Sequence, residues 1–235
     1  MMAARFQAPQ QLTFDMGLGP SLSRDDLVVS PSNRAAIHQI DAWPDWISPI
    51  TIVVGDSGSG KTHILSAWQT KAVAYACQRE RLDEAIEAAQ HGVPVAIDDL
   101  IIYPSNETEL FHLINTVRQT GTSLMATMHR APNMAAIETP DLASRLRAAT
   151  SIAIEQPDDD LLRAVFAKLF ADRQVSVDPD VVDYCIARMP RSLQAVVDLV
   201  AKLDEAALSK KRAFTTRLAG EVLAALPSES DDRHL

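Results

Sequence analysis

Up to about residue 156, short unbroken apolar runs alternate with segments whose apolar residues recur every three or four positions. The runs are Ile50–Val54, Pro94–Ile97, Ser123–Thr127 and Ser151–Ile154. They show no polar face, so they predict strands covered on both sides. Lys71–Cys77 is predicted as a further short strand. Helices are predicted from Ser30-Pro31-Ser32-Asn33-Arg34 to Trp43, over 61–69, over 81–90 with Leu82, Ala85, Ile86 and Ala89 on one face, over 106–120 and over 140–147. Gly121 fits the left-handed stop of the fourth. Strand and helix in alternation predict an α/β fold with a parallel, doubly wound sheet.

The pattern changes at Gln156-Pro157-Asp158. Everything beyond reads as helix, over 159–173, 179–188, 191–208 and 216–225, with Asp158–Asp160 and Asp178-Pro179 as helix starts. The expected organisation is therefore a flexible leader (1–25), an α/β nucleotide-binding domain (26–156), a small all-helical domain (157–226) and a disordered tail (227–235). In the leader, Leu12, Phe14 and Met16 alternate. Extended, they share one face, suited equally to a groove on a partner or to packing on their own domain.

A net charge of −9 argues against extensive direct DNA binding, which needs clustered Lys and Arg. The one short basic run, Lys210-Lys211-Arg212, reads as a solvated helix end. No apolar run approaches the roughly 20 residues that span a bilayer. The N-terminus carries no apolar signal core, and a cytoplasmic location is expected. Cys77 and Cys185 fit no metal or redox spacing and read as buried free thiols.

The specific chemistry follows the first strand. Gly55-Asp56-Ser57-Gly58-Ser59-Gly60-Lys61-Thr62 fits the phosphate loop GxxxxGK[ST] at every required position. Its glycines let successive N–H groups turn toward phosphate oxygens, and the following helix adds its positive end. Lys61 supplies a cation for the β- and γ-phosphates, and Thr62 an oxygen for Mg²⁺. Asp98 and Asp99 end a strand downstream, where such a sheet presents ligands. Asp98 is the candidate metal ligand and Asp99 the candidate for orienting or activating water. Thr127, His129 and Arg130 follow at the next strand end, as γ-phosphate contacts or as a plain turn. Arg145 and Arg147 lie on a short helix, either as surface charges or within reach of a neighbouring subunit's phosphate. Arg191 opens the third helix of the second domain, facing the nucleotide or solvent.

Taken together, residues 27–226 resemble the AAA+ ATPases of the DnaA initiator family, most closely its shortened Hda-type regulators. Ser30–Arg34, Gly55–Thr62 continuing through His63-Ile64-Leu65, Ile97-Asp98-Asp99, Thr127–Pro132 and Pro140-Asp141-Leu142-Ala143-Ser144-Arg145-Leu146 carry the resemblance. It implies a P-loop domain followed by a helical lid, with Asn33 and Arg34 beside adenine and His63 in the nucleotide site. It also implies Arg145 as an arginine finger and Arg191 as the lid's sensor. No helix-turn-helix domain is expected after the lid. Gln11, Leu12, Phe14 and Met16 resemble the peptide by which such regulators dock on the DNA polymerase sliding clamp, with Phe14-Asp15 in place of the commoner apolar-Pro pair. Where related proteins tend to have an acidic sensor, this chain has His129.

The resemblance implies a negative regulator of replication initiation that holds adenine nucleotide (ADP preferred, with Mg²⁺), docks on the DNA-loaded clamp and stimulates hydrolysis of DnaA-bound ATP. Its own hydrolysis is expected to be weak. The alternative is an autonomous ATPase acting as a DNA loader or motor, and a homodimer or higher oligomer stays open. A small-molecule kinase is disfavoured by the long helical region after Pro157.

Overall fold

A computed structural model of the protein describes residues 24–78, 81–210 and 213–225. The alternating segment Gln11–Met16, nearly all of the expected leader and the expected tail lie outside the described residues. Five parallel strands form one sheet in the order β2-β3-β4-β1-β5. These are β1 (Ile50–Val54), β2 (Tyr75–Cys77), β3 (Val95–Ile97), β4 (Leu124–Met128) and β5 (Thr150–Ala153). β3 and β4 are buried at every position and β1 at all but Val54, matching their unbroken apolar runs. The edge strand β5 alternates between half-buried and exposed positions.

Helices cover both faces: α1 (Arg34–Ala42) and α2 (Lys61–Ala72) on one, α3 (Leu82–Gln90), α4 (Glu107–Thr120) and α5 (Pro140–Arg147) on the other. All three tryptophans lie on the first face. Trp46 stacks on the fully buried Trp68 with ring centroids 5.2 Å apart, and Trp43 meets it edge-on at 6.5 Å. The helices α6 (Asp159–Asp172), α7 (Pro179–Ile186), α8 (Leu193–Lys210) and α9 (Thr216–Ala225) build a core of their own around Leu162, Phe166, Cys185, Val196, Leu199 and Ala219. Asp158 caps α6 by accepting from the Leu161 N–H at 2.7 Å, and Asp178 accepts from the Asp180 N–H ahead of α7. Cys77 and Cys185 are free and buried, and burial pushes each thiol up to about 11. No helix among the described residues is long and apolar enough to cross a membrane.

Two expectations need correction. α2 does not stop at Gln69, and the next strand does not begin at Lys71; the helix runs to Ala72 and β2 covers only Tyr75–Cys77. The reason is tertiary. The Lys71 ammonium donates to the Ile40 and Asp41 carbonyls at 2.9 and 3.0 Å, tying α2's last turn to the end of α1. Val73 then stops the helix in the left-handed region at φ 50°, which a β-branched residue rarely adopts.

Candidate functional site

In this strand order β1 lies between β4 and β5, so connections leaving its carboxyl end diverge and open a crevice. The phosphate loop fills the β1–α2 connection there. Gly58 and Gly60 adopt φ values of 75° and 102°, accessible to glycine at little cost. Gly60 precedes Lys61 at the start of α2, and no side chain caps that terminus. Its leading N–H groups are therefore donors suited to an anion. Ser59 Oγ is buried and has no hydrogen-bond partner among the described residues. Lys61 is buried, and its ammonium donates to the Gly55 and Asp56 carbonyls, both at 2.8 Å. Desolvation lowers its pKa, outweighing the opposing pull of Asp99, Asp98 and Asp56.

Facing the loop, β3 delivers Asp98 and Asp99. Thr62 Oγ1 donates to Asp98 Oδ2 at 2.9 Å, so the two predicted metal-binding side chains meet. Thr127, fully buried in β4, donates to Asp98 Oδ1 at 2.6 Å and accepts from the Asp99 N–H at 2.7 Å. One hydroxyl thus fixes both acidic residues. Asp99 sits in the left-handed region at φ 48°, and its Oδ1 lies 3.1 Å from His129 Nε2.

A cleft of about 690 Å³ extends from this point to the helical region. Ser57, Gly58, Gly60, Lys61, Thr62, His63, Asp98, Asp99 and His129 line its polar end. Leu27, Val28, Leu161, Val165, Leu169, Leu193 and Val197 give it an apolar end. Buried Asn33 lines it too, and it shapes the wall by accepting from the Ser30 N–H and donating to the Val28 carbonyl. The Lys168 ammonium on α6 pairs with Asp26, joining the lid side of the cleft to the segment before α1.

The phosphate loop also touches the helical region directly, through the Leu193 N–H donating to the Gly58 carbonyl at 2.9 Å. A Cβ on Gly58 would lie 2.1 Å from Ser192 Oγ and 2.7 Å from its Cβ. Gly121 has nearly the same φ, 71°, with nothing within 4 Å of an added Cβ. Gly121→Ala is therefore expected to cost only the left-handed penalty, about 1–2 kcal/mol. Gly58→Ala adds displacement of Ser192 and is expected to weaken nucleotide binding about a hundredfold, read by calorimetric titration. Equal effects of the two variants on binding would reject the contact argument.

The other predicted residues lie apart from the cleft lining. Arg34 is exposed at the first position of α1. Arg191 pairs with Asp159 at 2.8 Å and reaches the Pro157 carbonyl at 3.5 Å, beside the start of α6. Arg145 is half-buried on α5 and Arg147 is exposed, and neither has a hydrogen bond or ion pair among the described residues.

Sequence reasoning missed Glu107. Buried at the first position of α4, its carboxylate accepts from the Glu138 and Thr139 N–H groups at 2.8 Å each, just ahead of α5. Hydrogen bonding from Thr139 and then Glu138 holds its pKa below the usual 4.5. A carboxylate with a lowered folded pKa contributes stability that is fully present above the ordinary value and lost as pH falls through the lowered one. Glu107→Gln is expected to lower stability at pH 7 and flatten the acid limb of a urea-unfolding profile. An unchanged acid limb would assign that limb to other groups.

The parallel sheet with β1 at the switch point, the phosphate loop, the acid-bearing β3 and the helical lid define a P-loop protein of the AAA+ class. Residues 159–223 match the family model "Hda, lid domain". The chain is 25% identical to the chromosomal replication initiator protein DnaA of Cutibacterium acnes, over 90% of this chain and 48% of that protein. Domain III of the Thermotoga maritima replication initiation protein DnaA superposes with a TM-score of 0.74 at 20% identity, covering 88% of this chain and 98% of that one. AMPPCP-bound DnaA from Aquifex aeolicus gives 0.66 at 19% identity, over 83% and 71%. The chain spans about half the length of the curated DnaA relatives it matches (48% and 50%). The chain is thus similar to DnaA-family AAA+ proteins in sequence and fold, and to Hda in its lid.

Proposed function

We propose that this protein is a negative regulator of replication initiation that holds an adenine nucleotide, ADP in its working form, and stimulates hydrolysis of ATP bound to DnaA. The observation that carries this reading is the placement of Arg145. Within a chain that pairs a DnaA-like fold with an Hda-type lid, this arginine sits off its own cleft with no partner among the described residues. An arginine so placed is available to a neighbouring molecule's phosphate rather than to its own.

The nucleotide reading rests on the site's own chemistry. The uncapped α2 terminus, buried Lys61 and unsatisfied Ser59 Oγ suit phosphate oxygens, and the apolar end of the cleft suits a base. Thr62 Oγ1 and Asp98 would hold Mg²⁺, a pairing typical of an ion that takes its other ligands from phosphate and water. A bound Mg²⁺ would neutralise phosphate charge. Asn33 would flank the base, Arg34 and Arg191 would approach the nucleotide from α1 and the lid, and Gln11, Leu12, Phe14 and Met16 would dock on the clamp.

The deciding experiment is single-turnover hydrolysis of ATP pre-bound to DnaA, with clamp loaded on DNA and ADP present. Addition of this protein should accelerate hydrolysis, and a chain lacking residues 1–16 should lose clamp binding and most of the acceleration. No acceleration by the full chain would overturn the regulator reading. Rapid steady-state ATP turnover by the protein alone would favour a loader or motor.

A further inference from the structure

The pair formed by Asp99 and His129 has a consequence for the protein's own nucleotide. Resting on the nucleotide-site reading above, we propose that His129 is a positioning residue that restrains the Asp99 carboxylate and slows hydrolysis of any ATP the cleft takes up.

Hydrolysis adds water to the γ-phosphorus, breaks the β–γ phosphoanhydride bond, and releases ADP, inorganic phosphate and a proton. A carboxylate facing that water orients it and accepts its proton. In this cleft the two neighbouring acids are differently engaged. Asp98 has one oxygen on Thr62 and the other on Thr127, an arrangement directed at the metal position. Asp99 lines the cleft beside it, and contacts with Thr127 and His129 bear on where its carboxylate goes. The Asp99 N–H is fixed on Thr127 Oγ1, and the Leu100 N–H on the Thr127 carbonyl at 2.7 Å. These hold the backbone in its left-handed turn, a sparsely populated conformation for a residue other than glycine. The remaining freedom is side-chain rotation, which the contact with His129 limits. Its Nε2 lies 3.1 Å from Asp99 Oδ1, with His129 placed directly after β4. Both residues line the cleft, with Asp99 about a quarter exposed and the imidazole half exposed (24% and 51%). Oδ1 is buried against this imidazole toward the end of β4, and so is withheld from water at the phosphate end.

The test is single-turnover hydrolysis by the full-length protein saturated with Mg²⁺-ATP, scored per bound nucleotide so that affinity does not enter. His129→Ala should hydrolyse bound ATP about tenfold faster or more, up to the 10²–10⁴ that a positioned general base contributes. Asp99→Asn in the same background should return the rate to the wild-type level or below. That dependence separates restraint of Asp99 from general loosening of the loop. A rate in His129→Ala that is unchanged or slower would overturn the proposal, as would acceleration that persists in the double variant. Failure of the wild-type protein to take up ATP, seen in the binding step, would overturn the proposal, and failure to take up ADP as well would remove the nucleotide reading itself. Normal uptake with no acceleration removes this inference alone.

Discussion

Arg145→Ala is expected to abolish stimulation of DnaA-bound ATP hydrolysis while nucleotide binding in its own cleft persists. In GTPases an arginine supplied in trans contributes about 10³–10⁵ in rate. At about 1.36 kcal/mol per factor of ten, that is about 4–7 kcal/mol of transition-state stabilisation. The geometry of α5 explains why Arg145 is the stronger choice of the two arginines. Leu142 and Leu146 are buried and fix the helix face that meets α4 and the sheet. Successive residues advance by about 100°, so Arg145 lies on the flank of that face and Arg147 farther round toward solvent. The observed burial agrees, half-buried for Arg145 and exposed for Arg147. An arginine whose stem is packed loses less freedom on meeting a phosphate than one in solvent. Glu107 fixes the start of the same helix through the N–H groups of Glu138 and Thr139. Arg145→Lys should recover under about a tenth of the effect, because a point charge does not reproduce the planar fork. Loss of stimulation in Arg147→Ala but not in Arg145→Ala would place the finger two residues farther on.

What was legible in the sequence was the chemistry written in contiguous residues. Gly55–Thr62 is local, and the apolar runs at 50–54, 94–97 and 123–127 had no other use than buried strands. Asp98 was legible because an acid at a strand end beside a phosphate loop has few other roles, and the structure brings it to Thr62. What was not legible depends on contacts distant in sequence. Nothing near Val73 announces a left-handed stop; the brace from Lys71 to α1 spans about thirty residues. Thr127 was a candidate for the phosphate, and the structure gives it the task of fixing Asp98 and the Asp99 N–H. His129 read as a turn or a phosphate contact, and only the fold sets it against Asp99. Nothing in the sequence sets Glu107 apart from any acid in a first helical turn, where the helix dipole accounts for its position but not for its burial.

Lys61→Met should leave the nucleotide-free protein about as stable as the wild type, or more so, and remove almost all stabilisation by nucleotide. Burial outweighs the nearby carboxylates in lowering the pKa of Lys61. The folded state therefore favours its neutral form, and the charged form opposes folding. The sign follows from linkage: for a base with a lowered folded pKa, this cost is fully present at pH values below that pKa and disappears as pH rises through it. At pH 7 the cost is present. Against it stand two hydrogen bonds to the Gly55 and Asp56 carbonyls, each contributing about 1 kcal/mol net. Methionine keeps most of the stem's packing and removes the buried charge. The two changes oppose each other, leaving a net shift within about 1 kcal/mol. Nucleotide reverses the balance. At a concentration 100 times its Kd, a ligand adds about 2.7 kcal/mol, or about 5–10 °C in Tm for a chain of this size. The wild type should show that increment with Mg²⁺-ADP by differential scanning calorimetry, and Lys61→Met under about 1 °C at the same concentration. A fall of more than about 2 kcal/mol in the nucleotide-free variant would mean that Lys61 is chiefly a brace for the loop. A normal increment with ADP would mean that the N–H groups at the start of α2 hold the phosphates without it.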